Sequence, residues 1–146
     1  MFFFEKIKLE NFRNFKTFDI NFSNKCNVIT GSNGTGKTNL LESISLFDKG
    51  RGFRKEPLKN MINNSYKNKM FLIISNFVTS ENNLDLLLSC EENENKFKKK
   101  LLINGNNSKD SEKYFENYIQ LFVFFLKWKD YLLAALLLGE IFLIIL

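Results

Sequence analysis

The sequence predicts an α/β fold in which a short strand, a glycine-rich loop and a helix pack beside an antiparallel sheet. Three observations lead there. Apolar residues alternate with polar ones in several stretches, Gly31, Gly34 and Gly36 crowd one loop, and Leu40, Leu41, Ile44 and Phe47 follow that loop at helical spacing. A chain of 146 residues has room for one domain with a real core, since it can bury about 68–70% of its unfolded surface. A second complete domain would not fit.

From Phe2 to Glu10, Phe4, Ile7 and Leu9 stand among charged neighbours, the two-residue period of a half-buried strand. Asn11 to Phe15 turns, and Phe18, Ile20 and Phe22 repeat the pattern. Ser23 to Lys25 is a polar break before a short apolar strand, Asn27 to Thr30, which feeds the glycine loop. The helix should run from about Lys37 to Phe47 and end before Gly50 and Gly52. Pro57 can open a short helix through Ile62. Met70 to Val78, Leu84 to Cys90 and Phe97 to Ile103 read as strands, with a turn over Ser80 to Asn83 and a tight turn at Asn104-Gly105. The polar run Glu91 to Lys100 reads as a turn and strand edge rather than a linker. Ser108 to Tyr118 looks helical and Ile119 to Phe125 looks like a buried strand.

Composition limits function more than it identifies it. Apolar residues at 45% and charged residues at 25% are ordinary for a globular protein and argue against wholesale disorder. The net charge of +5 suits a nucleic-acid partner. Abundant Lys, Asn, Ile and Phe are also what an AT-rich genome produces, so charge alone does not decide. The chain has no histidine, which excludes Ser-His-Asp and Cys-His catalysis and His-ligated metal within it. Cys26 and Cys90 form no C-x-x-C pair, and the start lacks the pattern of a signal peptide, so a reducing, cytoplasmic compartment is expected.

Gly31-Ser32-Asn33-Gly34-Thr35-Gly36-Lys37-Thr38 satisfies G-x-x-x-x-G-K-S/T between a strand and a helix, the context that a P-loop needs. Several backbone N–H groups must point inward at the phosphates, and glycine lets the chain curl without a Cβ in the way. The helix adds its unpaired N–H groups and the positive end of its dipole. Lys37 is expected on the β and γ phosphates of ATP, and the Thr38 hydroxyl on Mg2+. Asn33 before Gly34 favours the form common in ABC-type ATPases.

Three stretches carry a closer likeness: Ile7-Lys8-Leu9-Glu10-Asn11-Phe12-Arg13-Asn14-Phe15, the P-loop with its helix through Ile44, and Lys49-Gly50-Arg51-Gly52-Phe53-Arg54. Together they resemble the RecF DNA replication and repair family, SMC-like members of the ABC ATPases. The third stretch resembles a family Gly-Arg-Ser-Phe-Arg segment, with Gly52 in place of the usual serine. Weaker echoes at Lys100 to Gly105 and Ile119 to Phe125 extend the resemblance to about residues 5 to 125, less than half of a RecF chain. The resemblance implies an incomplete N-terminal lobe of an ABC/SMC-type P-loop ATPase, with an antiparallel β subdomain, over residues 1–125. It places Arg13 and Asn14 near the nucleotide. Arg51 and Arg54 would either order the segment after the helix, with a phosphate or DNA role, or cap the helix as surface arginines.

The same resemblance implies ATP-dependent binding of single-stranded or gapped duplex DNA, replication, recombinational gap repair and the SOS response. RecO, RecR and RecA would be partners, with an ATP-dependent homodimer in the family and no membrane. ABC ATPases also need an apolar run ending in Asp-Glu and a Ser-Gly-rich signature, and neither follows Thr38. This chain alone is therefore expected to bind nucleotide weakly and to hydrolyse it negligibly. A rival reading in another class is a small self-contained P-loop phosphotransferase, though no arginine follows Arg54 to serve a substrate lid.

The tail departs from the family. Leu126-Lys127-Trp128-Lys129-Asp130-Tyr131 precedes an apolar run, yet Phe125 to Leu146 can be read one base earlier, with permitted codons, as a family-like Pro-Glu-Met-Glu-Arg-Leu-Phe segment. The expectation is a frame shift that leaves 126–146 out of frame. A membrane anchor over Tyr131 to Leu146 would reach about 24 Å, short of a 30 Å hydrocarbon core, with Glu140 inside it. A buried helix is the third reading.

Overall fold

Alternating apolar residues build one antiparallel sheet, and its buried face is the core against which the glycine-loop helix packs. The computed structural model describes residues 2–25, 27–63, 65, 69–94, 96–107, 109, 113, 115, 116 and 143–145. Strands β1 (Phe3–Phe12), β2 (Phe15–Asn21), β4 (Met70–Val78), β5 (Asn83–Asn93) and β6 (Lys96–Ile103) form the sheet in the order β2-β1-β4-β5-β6. Strand β3 (Asn27–Ile29) lies outside it and leads through the glycine loop into helix α1 (Lys37–Ser45). A turn of 3-10 helix, Leu58–Met61, stands where Pro57 was expected to open a helix.

The two-residue period is visible in burial. Phe71, Ile73 and Phe77 of β4 and Leu84, Leu86, Leu88 and Cys90 of β5 are buried, while their neighbours are half-buried or exposed. In β1 the period is broken: Phe4 and Ile7, an odd number of residues apart, are both buried. A bulge resolves this, because Phe4 pairs with Phe77 while Lys6 pairs with the adjacent Asn76, so one extra residue turns the strand over. Phe4 then meets Phe77 edge-on at 4.9 Å and Phe47, just past α1, at 5.6 Å, and Phe115 closes on Phe77 at 5.1 Å.

The β1–β2 turn is tighter than expected. Phe12 pairs with Phe15, so only Arg13 and Asn14 turn, and Arg13 takes a positive φ of 51°. The segment after the 3-10 turn closes over the end of β1, with Arg13 N–H donating to Met61 at 2.7 Å and Asn63 N–H donating to Asn11 at 2.9 Å. At the other end of α1, Lys99 of β6 donates to the Leu46 and Asp48 carbonyls at 2.6 and 2.5 Å. A cation there answers the unpaired carbonyls of a helix whose last turn holds no basic residue.

Of the polar run 91–100, Glu91 to Asn93 end β5 and Lys96 to Lys100 lie in β6, the edge strand of the sheet. Asn104 and Gly105 have φ of 50° and 75°, and Ile103 and Asn106 exchange backbone hydrogen bonds across them. Of the helix expected over Ser108 to Tyr118, Lys109, Lys113, Phe115 and Glu116 are described and have helical backbone. The strand expected over Ile119 to Phe125 lies outside the described residues. Within the tail, Leu143–Ile145 is a strand, β7, paired in parallel with β3, so neither helical reading of the tail holds at those residues. No helix among the described residues is long and apolar enough to cross a membrane.

Candidate functional site

Gly31 to Gly36 form the loop between β3 and α1, and three local features shape it. Gly34 and Gly36 take φ of 87° and 106°, which L side chains adopt only with strain. A Cβ on Gly36 would stand 2.5 Å from Cζ of Phe15 and 2.9 Å from Nδ2 of Asn14, so the β1–β2 turn leaves room there only for glycine. Thr35 folds the loop back on itself, its Oγ1 donating to the Ser32 carbonyl at 2.9 Å.

Helix α1 begins on Gly36 without a side-chain cap and without an acid in its first turn. Its first internal bond runs from Leu40 N–H to the Gly36 carbonyl at 2.9 Å. The N–H groups of Lys37, Thr38 and Asn39 precede that bond and make no helical one, so the positive end of the helix faces the loop. The Lys37 ammonium crosses the loop and donates to the Gly31 and Ser32 carbonyls, the second at 3.1 Å. Thr38 is exposed, and its hydroxyl makes no hydrogen bond to the described residues. A hollow of about 210 Å3 opens here, lined by Gly34, Gly36, Lys37, Thr38, Asn39 and Arg54.

Asn14 borders this loop, its Nδ2 donating to the Thr35 carbonyl at 3.3 Å and its Oδ1 accepting from Asn39 Nδ2 at 2.8 Å. Arg13 faces elsewhere. Its Nε and Nη2 donate to the two carboxylate oxygens of Glu42 at 2.8 and 2.7 Å, and its Nη1 donates to Glu56 at 3.1 Å and to the Asn60 carbonyl at 3.0 Å. Every nitrogen of the guanidinium is engaged with the protein, so Arg13 supports α1 through Glu42. Burial alone would lower the Arg13 pKa, but the hydrogen bonds and charge of Glu42, then of Glu56, outweigh it and raise the pKa.

Sequence reasoning missed Glu42. Its side chain is fully buried, and it accepts from Arg54 Nη1 at 3.2 Å as well as from Arg13. The available signal was the one carboxylate of a helix whose apolar residues are Leu40, Leu41 and Ile44, in a chain with three arginines. Of the two arginines left open, Arg54 reaches the hollow and Arg51 stays exposed on the surface. Gly52 has φ of 68°, and a Cβ there would come within 2.7 Å of Ser45 Oγ, which gives its departure from the family serine a local physical reason.

Comparison with known proteins agrees with this architecture. Residues 3–120 match the family described as RecF/RecN/SMC N terminal domain. The chain is 46% identical over 63 residues to the DNA replication and repair protein RecF of Rickettsia typhi, and equally to that of Rickettsia prowazekii. The match covers 43% of this chain and 18% of each relative's length. Among solved structures, a RecF-ATP complex described as a recombination mediator of the RecFOR pathway superposes with a TM-score of 0.63 at 28% identity, over 74% of this chain and 28% of that one. The SMC head domain of Thermotoga maritima shares the fold, with a TM-score of 0.56 at 19% identity over 79% of this chain and 41% of that one. The chain belongs to the RecF/RecN/SMC N terminal domain family.

Proposed function

We propose that this family member is a nucleotide-binding lobe of the RecF type, in which Gly31, Ser32, Asn33, Gly34, Thr35, Gly36, Lys37 and Thr38 hold the phosphates of ATP. The observation that carries this reading is the uncapped start of α1 behind a loop that only glycine can form, with the Lys37 ammonium lying across it. The first-turn N–H groups supply preorganised donors for phosphate oxygens, and Lys37 exchanges loop carbonyls for a stronger anionic acceptor. Thr38, which is exposed, would hold Mg2+ through its hydroxyl, and the ion would neutralise phosphate charge. Asn14 holds the rim of the loop through Thr35 and Asn39.

In the wider reading the protein acts in DNA replication, recombinational gap repair and the SOS response in the cytoplasm. It binds single-stranded or gapped duplex DNA, closes into an ATP-dependent homodimer and works with RecO, RecR and RecA. The resemblance to RecF relatives supports these roles, and the matched stretch spans 18% of those relatives' length. The chain as given binds nucleotide without turning it over, because no apolar run ending in Asp-Glu follows Thr38. Residues 126–146 are read as sequence from a shifted frame, and the encoding DNA read one base earlier should give Pro-Glu-Met-Glu-Arg-Leu.

Titration of the chain with ATPγS and Mg2+, with and without a gapped DNA, tests the proposal. Binding that Lys37→Ala removes and that DNA strengthens supports it, because linked affinities are reciprocal. Nucleotide binding unmoved by Lys37→Ala would sink it, and sustained ATP turnover that Lys37→Ala abolishes would favour the phosphotransferase reading instead.

A further inference from the structure

Two arginines converge on the carboxylate of Glu42, and they differ in how much of each is engaged. Arg13 donates from every nitrogen, to Glu42, Glu56 and the Asn60 carbonyl. Arg54 donates only from Nη1, to Glu42 Oε2 at 3.2 Å and to Asn39 Oδ1 at 3.0 Å. Its Nε and Nη2 make no hydrogen bond to the described residues, and its side chain lines the hollow that Lys37 and Thr38 line. Oε2 of Glu42 is shared, accepting from Arg13 Nε and from Arg54 Nη1. The carboxylate is fully buried, sits on the helix that opens at the phosphate loop, and is fixed from behind by the bidentate Arg13 pair.

We propose that Glu42 is a positioning residue: clamped by Arg13, it fixes one nitrogen of Arg54 so that the other two face the phosphate hollow and favour a nucleoside triphosphate over a diphosphate. The inference rests on the P-loop reading above. The physical reason is preorganisation. An arginine free in solution must lose rotamer freedom before its planar fork can grip a phosphate, whereas here Glu42 and Asn39 have already ordered it. The negative charge of Glu42 is compensated from below by Arg13, so Arg54 keeps enough positive charge to attract a further phosphate. A diphosphate, seated by Lys37 and the first turn of α1, does not reach as far and is indifferent to Arg54.

The test compares dissociation constants for ATPγS and ADP, each with Mg2+, in the full chain. Glu42→Gln keeps the shape and removes the charge, and should lower the ATPγS-to-ADP affinity ratio roughly tenfold with ADP affinity unchanged, the size expected for one charge-assisted hydrogen bond. A role confined to holding the fold would move both ligands together or neither. Arg54→Lys keeps the cation but cannot serve Glu42 and a phosphate at once, so it should lower the ratio similarly with the melting temperature little changed. That variant keeps the proposal testable if Glu42→Gln fails to fold. In an Arg54→Lys background, Glu42→Gln should change the ratio no further. An unchanged ratio in Arg54→Lys, or an equal loss for both nucleotides in a folded Glu42→Gln, overturns the proposal. Failure of the P-loop reading looks different: Lys37→Ala would then leave both affinities intact.

Discussion

Replacing Gly36 by alanine tests how closely the β1–β2 turn grips the phosphate loop. The added methyl group meets two separate costs. At φ of 106° an L residue is strained, which costs about 1–2 kcal/mol. The Cβ also lies 2.5 Å from Phe15 Cζ and 2.9 Å from Asn14 Nδ2, so Phe15 and the turn must shift, an overpacking cost of about 1–3 kcal/mol. The sum, about 2–5 kcal/mol, is a large fraction of the roughly 5–15 kcal/mol that holds an ordinary domain together. Gly34 is the internal control: its φ of 87° carries the strain, but nothing lies within 4 Å of its Cβ position. Urea unfolding followed by circular dichroism should therefore give a lower midpoint for Gly36→Ala than for Gly34→Ala at equal slope. Shortening Phe15 to alanine should narrow that gap, because the clash is with its ring. Equal midpoints for the two glycine variants, or a gap that Phe15→Ala leaves untouched, would refute the packing argument.

Other expectations come from the core and its charges. Arg13→Ala leaves the buried Glu42 carboxylate with Arg54 alone and should cost about 3–5 kcal/mol in urea unfolding, against well under 1 kcal/mol for the exposed Arg51→Ala. Phe77→Ala removes the ring that Phe2, Phe4 and Phe115 all contact and should cost about 3–5 kcal/mol. Burial pushes the Cys90 thiol up to about 11 from 9.0, so it should resist thiol reagents at pH 8 until the protein unfolds. The unfolded chain ionises first, so the stability owed to the neutral thiol is complete below about pH 9 and falls as pH rises toward 11. Cys90→Ala should flatten that part of the stability–pH curve.

What could be read in advance follows from which forces are local. Met70 to Val78 was legible to the residue because a short run rich in β-branched and aromatic residues, closed by a polar turn, reads as a strand, and the loop from Gly31 to Gly36 because its glycines answer a backbone requirement at fixed spacing. Strand β1 ran past its expected end, since Phe12 pairs across the turn with Phe15 and that pairing depends on a partner strand. The bulge beside Phe4 was present in the sequence as an odd spacing between two buried residues, but its meaning needed the register against β4. Glu42 was the main omission at the site. A buried carboxylate is explained only by partners far away in sequence, and Arg13 and Arg54 come together on it through the sheet and the segment after α1 rather than through any local pattern. The same long-range requirement accounts for Arg13, which the resemblance placed near the nucleotide and whose guanidinium holds the helix through Glu42.

The central claim, that Gly31 to Thr38 form a phosphate site, is tested most directly by amide chemical-shift mapping as ATP and Mg2+ are added to the labelled chain. The largest saturable shifts should fall on Gly34, Gly36, Lys37 and Thr38, with Arg54 responding in its side-chain Nε resonance, and Lys37→Ala should erase them. Shifts centred on another part of the sheet, or none at millimolar nucleotide, would contradict it.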